Sequence, residues 1–121
     1  MLIALDIDDT ITRHPAFFAF LSQSLIAAGH GVAIVTFRTD RESTSAELDA
    51  WGIAYTHLIT ASLDPDSEDG TDPWKARICK ELGVDVLFDD SPEVLRHVSP
   101  SILSLMVVDQ DRYDLNRLCQ K

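Results

Sequence analysis

Near the start of the chain, MLIALDIDDTI sets Asp6, Asp8 and Asp9 directly after an apolar run. Three carboxylates so close repel: at ~5 Å and an effective dielectric of ~20, each pair costs roughly 3 kcal/mol. A second acidic pair, Asp89-Asp90, follows the apolar VDVLF, Thr36 closes the apolar GVAIVT, and Lys75 stands at the start of a helical pattern. Carboxylates gathered beside one lysine suit a hard, oxygen-seeking cation, and Mg²⁺ fits that donor set best. The cation and the ammonium would offset the repulsion. A phosphate dianion could then bind between the cation, Lys75 and the Thr36 hydroxyl, with one aspartate oxygen left to attack phosphorus.

These residues need elements that bring them together. Strands are expected at Leu2–Asp6, Val32–Thr36, Tyr55–Ile59, Val84–Phe88 and Leu103–Val108, and helices at Pro15–Ala28, Arg41–Trp51, Pro73–Leu82, Pro92–His97 and Tyr113–Cys119. Pro15, Pro73 and Pro92 fit first helical turns. LIAAGHGVAIVT, LDAWGIAYTHLIT and CKELGVDVLFDD each run from a helical segment through a glycine into a strand. Such glycines fit the position after a helix, where φ > 0 costs least. Apolar strands alternating with helices predict an α/β fold: one Rossmann-like three-layer α/β/α domain on a five-stranded parallel sheet. Ligands of open α/β sheets bind beyond the carboxyl ends of the strands, where Asp6, Thr36 and Asp89 all fall.

A chain of 121 residues makes one domain, 1–121, burying roughly two thirds of its unfolded surface. A net charge of −10, from 20 acidic and 10 basic residues, disfavours nucleic acid and anionic membrane as partners. No stretch approaches a membrane span, and the apolar start is broken at Asp6 with no basic segment before it, so a cytoplasmic protein is expected. Cys79 and Cys119 show neither metal spacing nor a disulfide framework and read as buried or half-buried thiols. The segment 61–73, ASLDPDSEDGTDP, has calcium-loop composition but the wrong glycine and ligand positions, so it reads as a solvated acidic loop.

The DxDxT at Asp6–Thr10, the strand ending in Thr36, Lys75 and the strand ending in Asp89-Asp90 resemble, in order and spacing, the four motifs of the haloacid dehalogenase (HAD) superfamily. They span about two thirds of the chain. The resemblance implies a phosphatase-type member: a Mg²⁺-dependent phosphomonoester hydrolase with Asp6 as nucleophile and Asp8 as general acid, then base. It implies that Asp6, the Asp8 carbonyl and Asp89 hold Mg²⁺, with Asp90 a direct or water-bridged ligand, and that Thr36 and Lys75 hold the phosphoryl group. It also implies the strand order 5-4-1-2-3. Asp9 departs from the family, where glycine is common. The gaps between motifs leave no room for a cap domain, so the implied member is capless. Its open site would take a phosphorylated small molecule or an exposed phosphate group, and a homo-oligomer that covers the site is among the expectations.

Arg13, His14 and Arg38, just beyond strand ends, are candidate substrate contacts. Ser91 is read as a helix cap beside the metal residues. Phe17, Phe18, Leu21 and Leu25 recur at helical spacing and are expected in the core. Two other functions compete. A receiver-like phosphoacceptor domain has a similar length and acidic strand ends, but places its hydroxyl residue and lysine after the acceptor, whereas Thr36 and Lys75 precede Asp89. A catalytically idle HAD-like binding or regulatory domain is the other, against which both intact aspartates of the first motif argue.

Overall fold

The computed structural model describes residues 1–61, 72–109 and 111. Five parallel strands form one sheet: β1 (Leu2–Leu5), β2 (Gly31–Thr36), β3 (His57–Thr60), β4 (Val86–Asp89) and β5 (Leu103–Met106). Their order is β3-β2-β1-β4-β5, which read from the opposite edge is the expected 5-4-1-2-3. Between them run α1 (Pro15–Ala27), α2 (Arg41–Ala50), α3 (Asp72–Leu82) and the short α4 (Pro92–Leu95). The chain is thus an α/β protein of Rossmann-like arrangement. Among the described residues no helix is long and apolar enough to cross a membrane. The expected helix Tyr113–Cys119 and nearly all of the acidic loop 61–73 lie outside the described residues.

Alternation along the strands sorts the core into two layers. Ile3, Leu5, Val32 and Ile34 point to one face, where they pack with Phe18, Leu48 and Ile53. Ala4, Ala33, Val35 and Leu87 point to the other, against Trp74, Ile78 and Cys79 of α3. Burial pushes the Cys79 thiol up to about 11, the setting of an inert structural cysteine. Phe17 departs from the sequence expectation. Unlike Phe18, Leu21 and Leu25, which pack in or against the core, it is 51% exposed, its ring edge-on to Phe18 at 5.0 Å. Consecutive helical residues point about 100° apart, so the two rings cannot share one face of α1, and it is Phe18 that meets the sheet, edge-on to Phe88 at 5.7 Å.

Strand starts also shift. Val84, expected to open β4, donates its N–H to the Cys79 carbonyl at 3.0 Å, closing the end of α3 around Gly83 at φ +73°. A donor spent on the helix cannot join the sheet, so β4 begins at Val86. α1 and α2 end in the same way, through His30 to Leu25 and Ile53 to Leu48. β3 starts at His57, two residues later than expected, and Thr56 just before it already gives its N–H and its hydroxyl to the Val32 carbonyl of β2.

Candidate functional site

Register brings the acidic residues together. Leu5 of β1 lies opposite Phe88 of β4, so the next residues, Asp6 and Asp89, occupy adjacent strand tips, and Asp6 N–H donates to the Phe88 carbonyl at 3.1 Å. Both fall on the α3 side of the sheet, with Ala4 and Leu87. One carboxylate oxygen from each of Asp6, Asp89 and Asp90 falls within a mutual 4.8 Å, and all three residues are buried.

Lys75 meets them from α3. It shares that helix's inward face with Ile78 and Cys79, three and four positions on, and is 2% exposed. Arg77 and Lys80 project from the outer side. Lys75 Nζ donates to Asp6 Oδ1 at 2.6 Å and to Asp89 Oδ2 at 3.0 Å, and lies 5.0 Å from the Phe37 ring centroid. Phe37 in turn leans on Trp74 at 5.4 Å, roofing the ammonium with aromatic surface.

Thr10, fully buried, joins two of the acids: its hydroxyl lies 3.1 Å from Asp6 Oδ2 and 3.5 Å from Asp90 Oδ1. The turn Ile7–Ile11 makes this possible. Thr12 N–H closes it onto the Ile7 carbonyl at 3.1 Å, and Asp9 takes φ +63° within it. Left-handed backbone is costly for most L-residues, and aspartate is among the few that tolerate it. That explains how Asp9 occupies a place where the resembled family often has glycine. Asp89 Oδ1 accepts from Ser91 N–H at 2.9 Å, and Ser91 caps α4 by accepting from Val94 N–H.

Electrostatics follow from burial. It pushes the Asp6 carboxyl up to about 7; Lys75 opposes that shift, while Asp89 adds to it. Burial works against the Lys75 ammonium too, but the charges of Asp6 and Asp89 prevail and hold its pKa above the ordinary lysine value. With Asp6 ionised, three buried carboxylates face one ammonium, an excess of two negative charges that a divalent cation would cancel. Each carboxylate oxygen already hydrogen-bonded keeps a second acceptor direction for such an ion. The donor set, all carboxylate oxygen, suits a hard divalent cation.

A cavity of about 220 Å³ opens here, lined by Asp6, Asp8, Phe37, Lys75, Asp89, Asp90, Ser91 and Val94. Asp8 reaches its rim, and Arg38 grips it with two parallel bonds, Nε to Oδ2 at 3.1 Å and Nη2 to Oδ1 at 2.8 Å. The hydrogen bonds that Arg38 donates to Asp8 raise its pKa against the opposing effect of burial, and Glu47 adds to them.

The remaining candidates are not among the residues that line the cavity. Thr36, at the end of β2, is buried, and its hydroxyl oxygen accepts from Arg38 N–H at 3.1 Å. Arg13 Nη1 donates to both Asp111 carboxylate oxygens, at 2.8 and 2.9 Å, and His14 Nε2 sits 2.8 Å from Asp109 Oδ1. Both tie the start of α1 to the chain beyond β5.

Two residues escaped sequence reasoning. Thr10 was visible as the threonine of DxDxT, four places from Asp6, but carried no assigned contact. Phe37 follows Thr36 and gave no signal. Comparison with family models, curated proteins and solved structures gave no match for this chain.

Proposed function

We propose that the protein is a Mg²⁺-dependent phosphomonoester hydrolase of the HAD type, acting through a phosphoryl group carried on Asp6. The observation that carries this reading is the buried set Asp6–Lys75–Asp89, with Asp90 beside it and a cavity open above. A nucleophilic carboxylate, an ammonium to hold an equatorial phosphoryl oxygen and carboxylates in divalent excess are the parts that phosphoryl transfer to an aspartate requires.

Asp6, Asp89 and Asp90 would hold Mg²⁺, together with the Asp8 carbonyl by analogy with the HAD family. The cation would neutralise phosphoryl charge and orient it for in-line attack. An Asp6 carboxylate oxygen attacks phosphorus, the ester oxygen departs with a proton from Asp8, and the phosphoryl group remains on Asp6 as a mixed anhydride. Asp8 then takes a proton from water as the water oxygen attacks phosphorus, Asp6 departs as carboxylate, and phosphate is released. Lys75 holds the phosphoryl oxygens throughout. General acid–base help of this kind is worth typically ~10²–10⁴-fold.

The test is phosphate release from a broad panel of phosphomonoesters with Mg²⁺, run beside Asp6→Asn and Asp8→Asn. Asp6→Asn should abolish release and the phosphoryl mass on the first-motif peptide. Asp8→Asn should cripple turnover of alkyl esters yet still allow phosphorylation by a good leaving group. Release undiminished in Asp6→Asn would sink the proposal. Tight Mg²⁺ binding with no turnover across the panel would favour a binding or regulatory domain instead.

A further inference from the structure

The grip of Arg38 on Asp8 is built from three sides. Nε and Nη2 take both oxygens of Asp8, Nη1 bonds Glu47, and the guanidinium carbon stands 6.0 Å from the Trp51 ring centroid. Glu47 lies in α2 and Trp51 caps it, four residues apart and so on one face of that helix. The Arg38 backbone is tied as well, by its N–H to Thr36. Asp8, by contrast, has a side chain 61% exposed, and among the described residues Arg38 alone hydrogen-bonds it. An exposed aspartate left alone would sample several rotamers, and a planar guanidinium meeting both oxygens at once fixes its direction as an ammonium could not.

We propose that Arg38, braced by Glu47 and Trp51, is a positioning residue that holds the Asp8 carboxylate as the base for hydrolysis of phospho-Asp6, an inference that rests on the phosphatase reading above. In that step a water O–H proton passes to an Asp8 oxygen while the water oxygen bonds to phosphorus. The bond between phosphorus and the Asp6 oxygen breaks, and its electron pair stays with Asp6. The step needs one carboxylate held in one direction over the phosphoryl group. Attack of Asp6 on an ester with a good leaving group needs no such base. Arg38 therefore acts on the second half-reaction more than on the first.

The experiment measures phospho-Asp6 formation and its hydrolysis separately, using acetyl phosphate and p-nitrophenyl phosphate with Mg²⁺ on the full chain. Arg38→Met is expected to slow hydrolysis ~10–100-fold relative to formation, so that phospho-Asp6 accumulates at steady state. Arg38→Lys should not restore the balance, because an ammonium cannot make the fork. Glu47→Gln should shift it in the same direction by a smaller factor, and the double variant should match Arg38→Met alone. Equal slowing of both steps in Arg38→Met overturns this inference and leaves the phosphatase reading standing. Absence of phospho-Asp6 from the wild type, Arg38→Met and Asp8→Asn alike strikes the phosphatase reading itself. A turnover-independent readout is the Arg38 Nε–H resonance, expected to exchange slowly in the wild type and rapidly in Asp8→Asn. Rapid exchange in the wild type overturns the inference whatever the kinetics.

Discussion

Lys75 Nζ lies 2.6 Å from Asp6 Oδ1, with both residues buried, the lysine almost completely. The pair spans 69 positions of sequence and joins the sheet to α3 through charge. Removing one partner of a buried ion pair strands the other, at a cost of about 3–5 kcal/mol. Lys75→Met should therefore lower unfolding stability by that amount in urea titrations without metal. The double variant Asp6→Asn, Lys75→Met should recover part of it, because one stranded carboxylate is gone. If Lys75→Met is as stable as the wild type, the ammonium does not sit between Asp6 and Asp89 in solution.

Proton and cation should compete for Asp6. Its carboxyl is raised by burial, to about 7, above the ~3.9 of an unfolded aspartate. Between those values the folded chain holds more protons at this site than the unfolded chain. In chelator, the Asp6 contribution to stability is therefore fully present below about pH 4 and is lost as pH rises through about 7. The difference in unfolding free energy between wild type and Asp6→Asn should show this slope, since other titrating groups cancel. Mg²⁺ requires the deprotonated form, so its binding constant should climb up to roughly tenfold per pH unit below pH 7, and level off above. Calorimetric Mg²⁺ titrations at pH 5.5, 6.5 and 8 check this; a pH-independent affinity would contradict it.

Thr10 should matter to metal binding more than its small size suggests. Its hydroxyl touches Asp6 and lies near Asp90, the two acids contributed by different strand tips. Groups that orient metal ligands typically change affinity ~10–100-fold when removed. Thr10→Val, nearly isosteric, should weaken Mg²⁺ binding by a factor in that range. Unchanged Mg²⁺ affinity would mean that the hydroxyl does not orient the acids.

Asp9 offers a backbone test. At φ +63° a β-branched side chain is strained by about 1–2 kcal/mol, whereas glycine is not. Thermal unfolding should rank Asp9→Gly level with the wild type to within ~1 kcal/mol, and Asp9→Val clearly below both. A stable Asp9→Val would mean that the turn at Ile7–Ile11 adopts a different backbone.

Most of the architecture was legible because its signals are local. Apolar strands, prolines in first turns and a glycine after each long helix are all decided within a few residues. Element ends were less legible: whether the N–H of Val84 serves helix or strand depends on which acceptor is nearer, and no propensity encodes that. Asp6, Asp89 and Lys75 converged as expected because strand tips and a first helical turn fix their positions. Lys75 carried a further clue, its place on the apolar stripe of α3, which sets it apart from Arg77 and Lys80. Arg38 and Arg13 could be placed near the strand ends but not aimed. Their partners Asp8, Glu47, Asp109 and Asp111 are chosen by side-chain reach in three dimensions, which spacing along the chain does not reveal. Phe17 failed for a simpler reason: it adjoins Phe18 in α1, and neighbours about 100° apart around a helix cannot both face the sheet.

The ammonium at the heart of the cavity is carried by a helix whose inward neighbours, Trp74, Ile78 and Cys79, are ordinary packing. Seating that helix and assembling the charged cluster are consequently a single event. Any fluctuation that lifts α3 from the sheet draws Lys75 away from Asp6 and Asp89, and leaves their buried carboxylates without its ammonium even where β1, β2 and β3 stay paired.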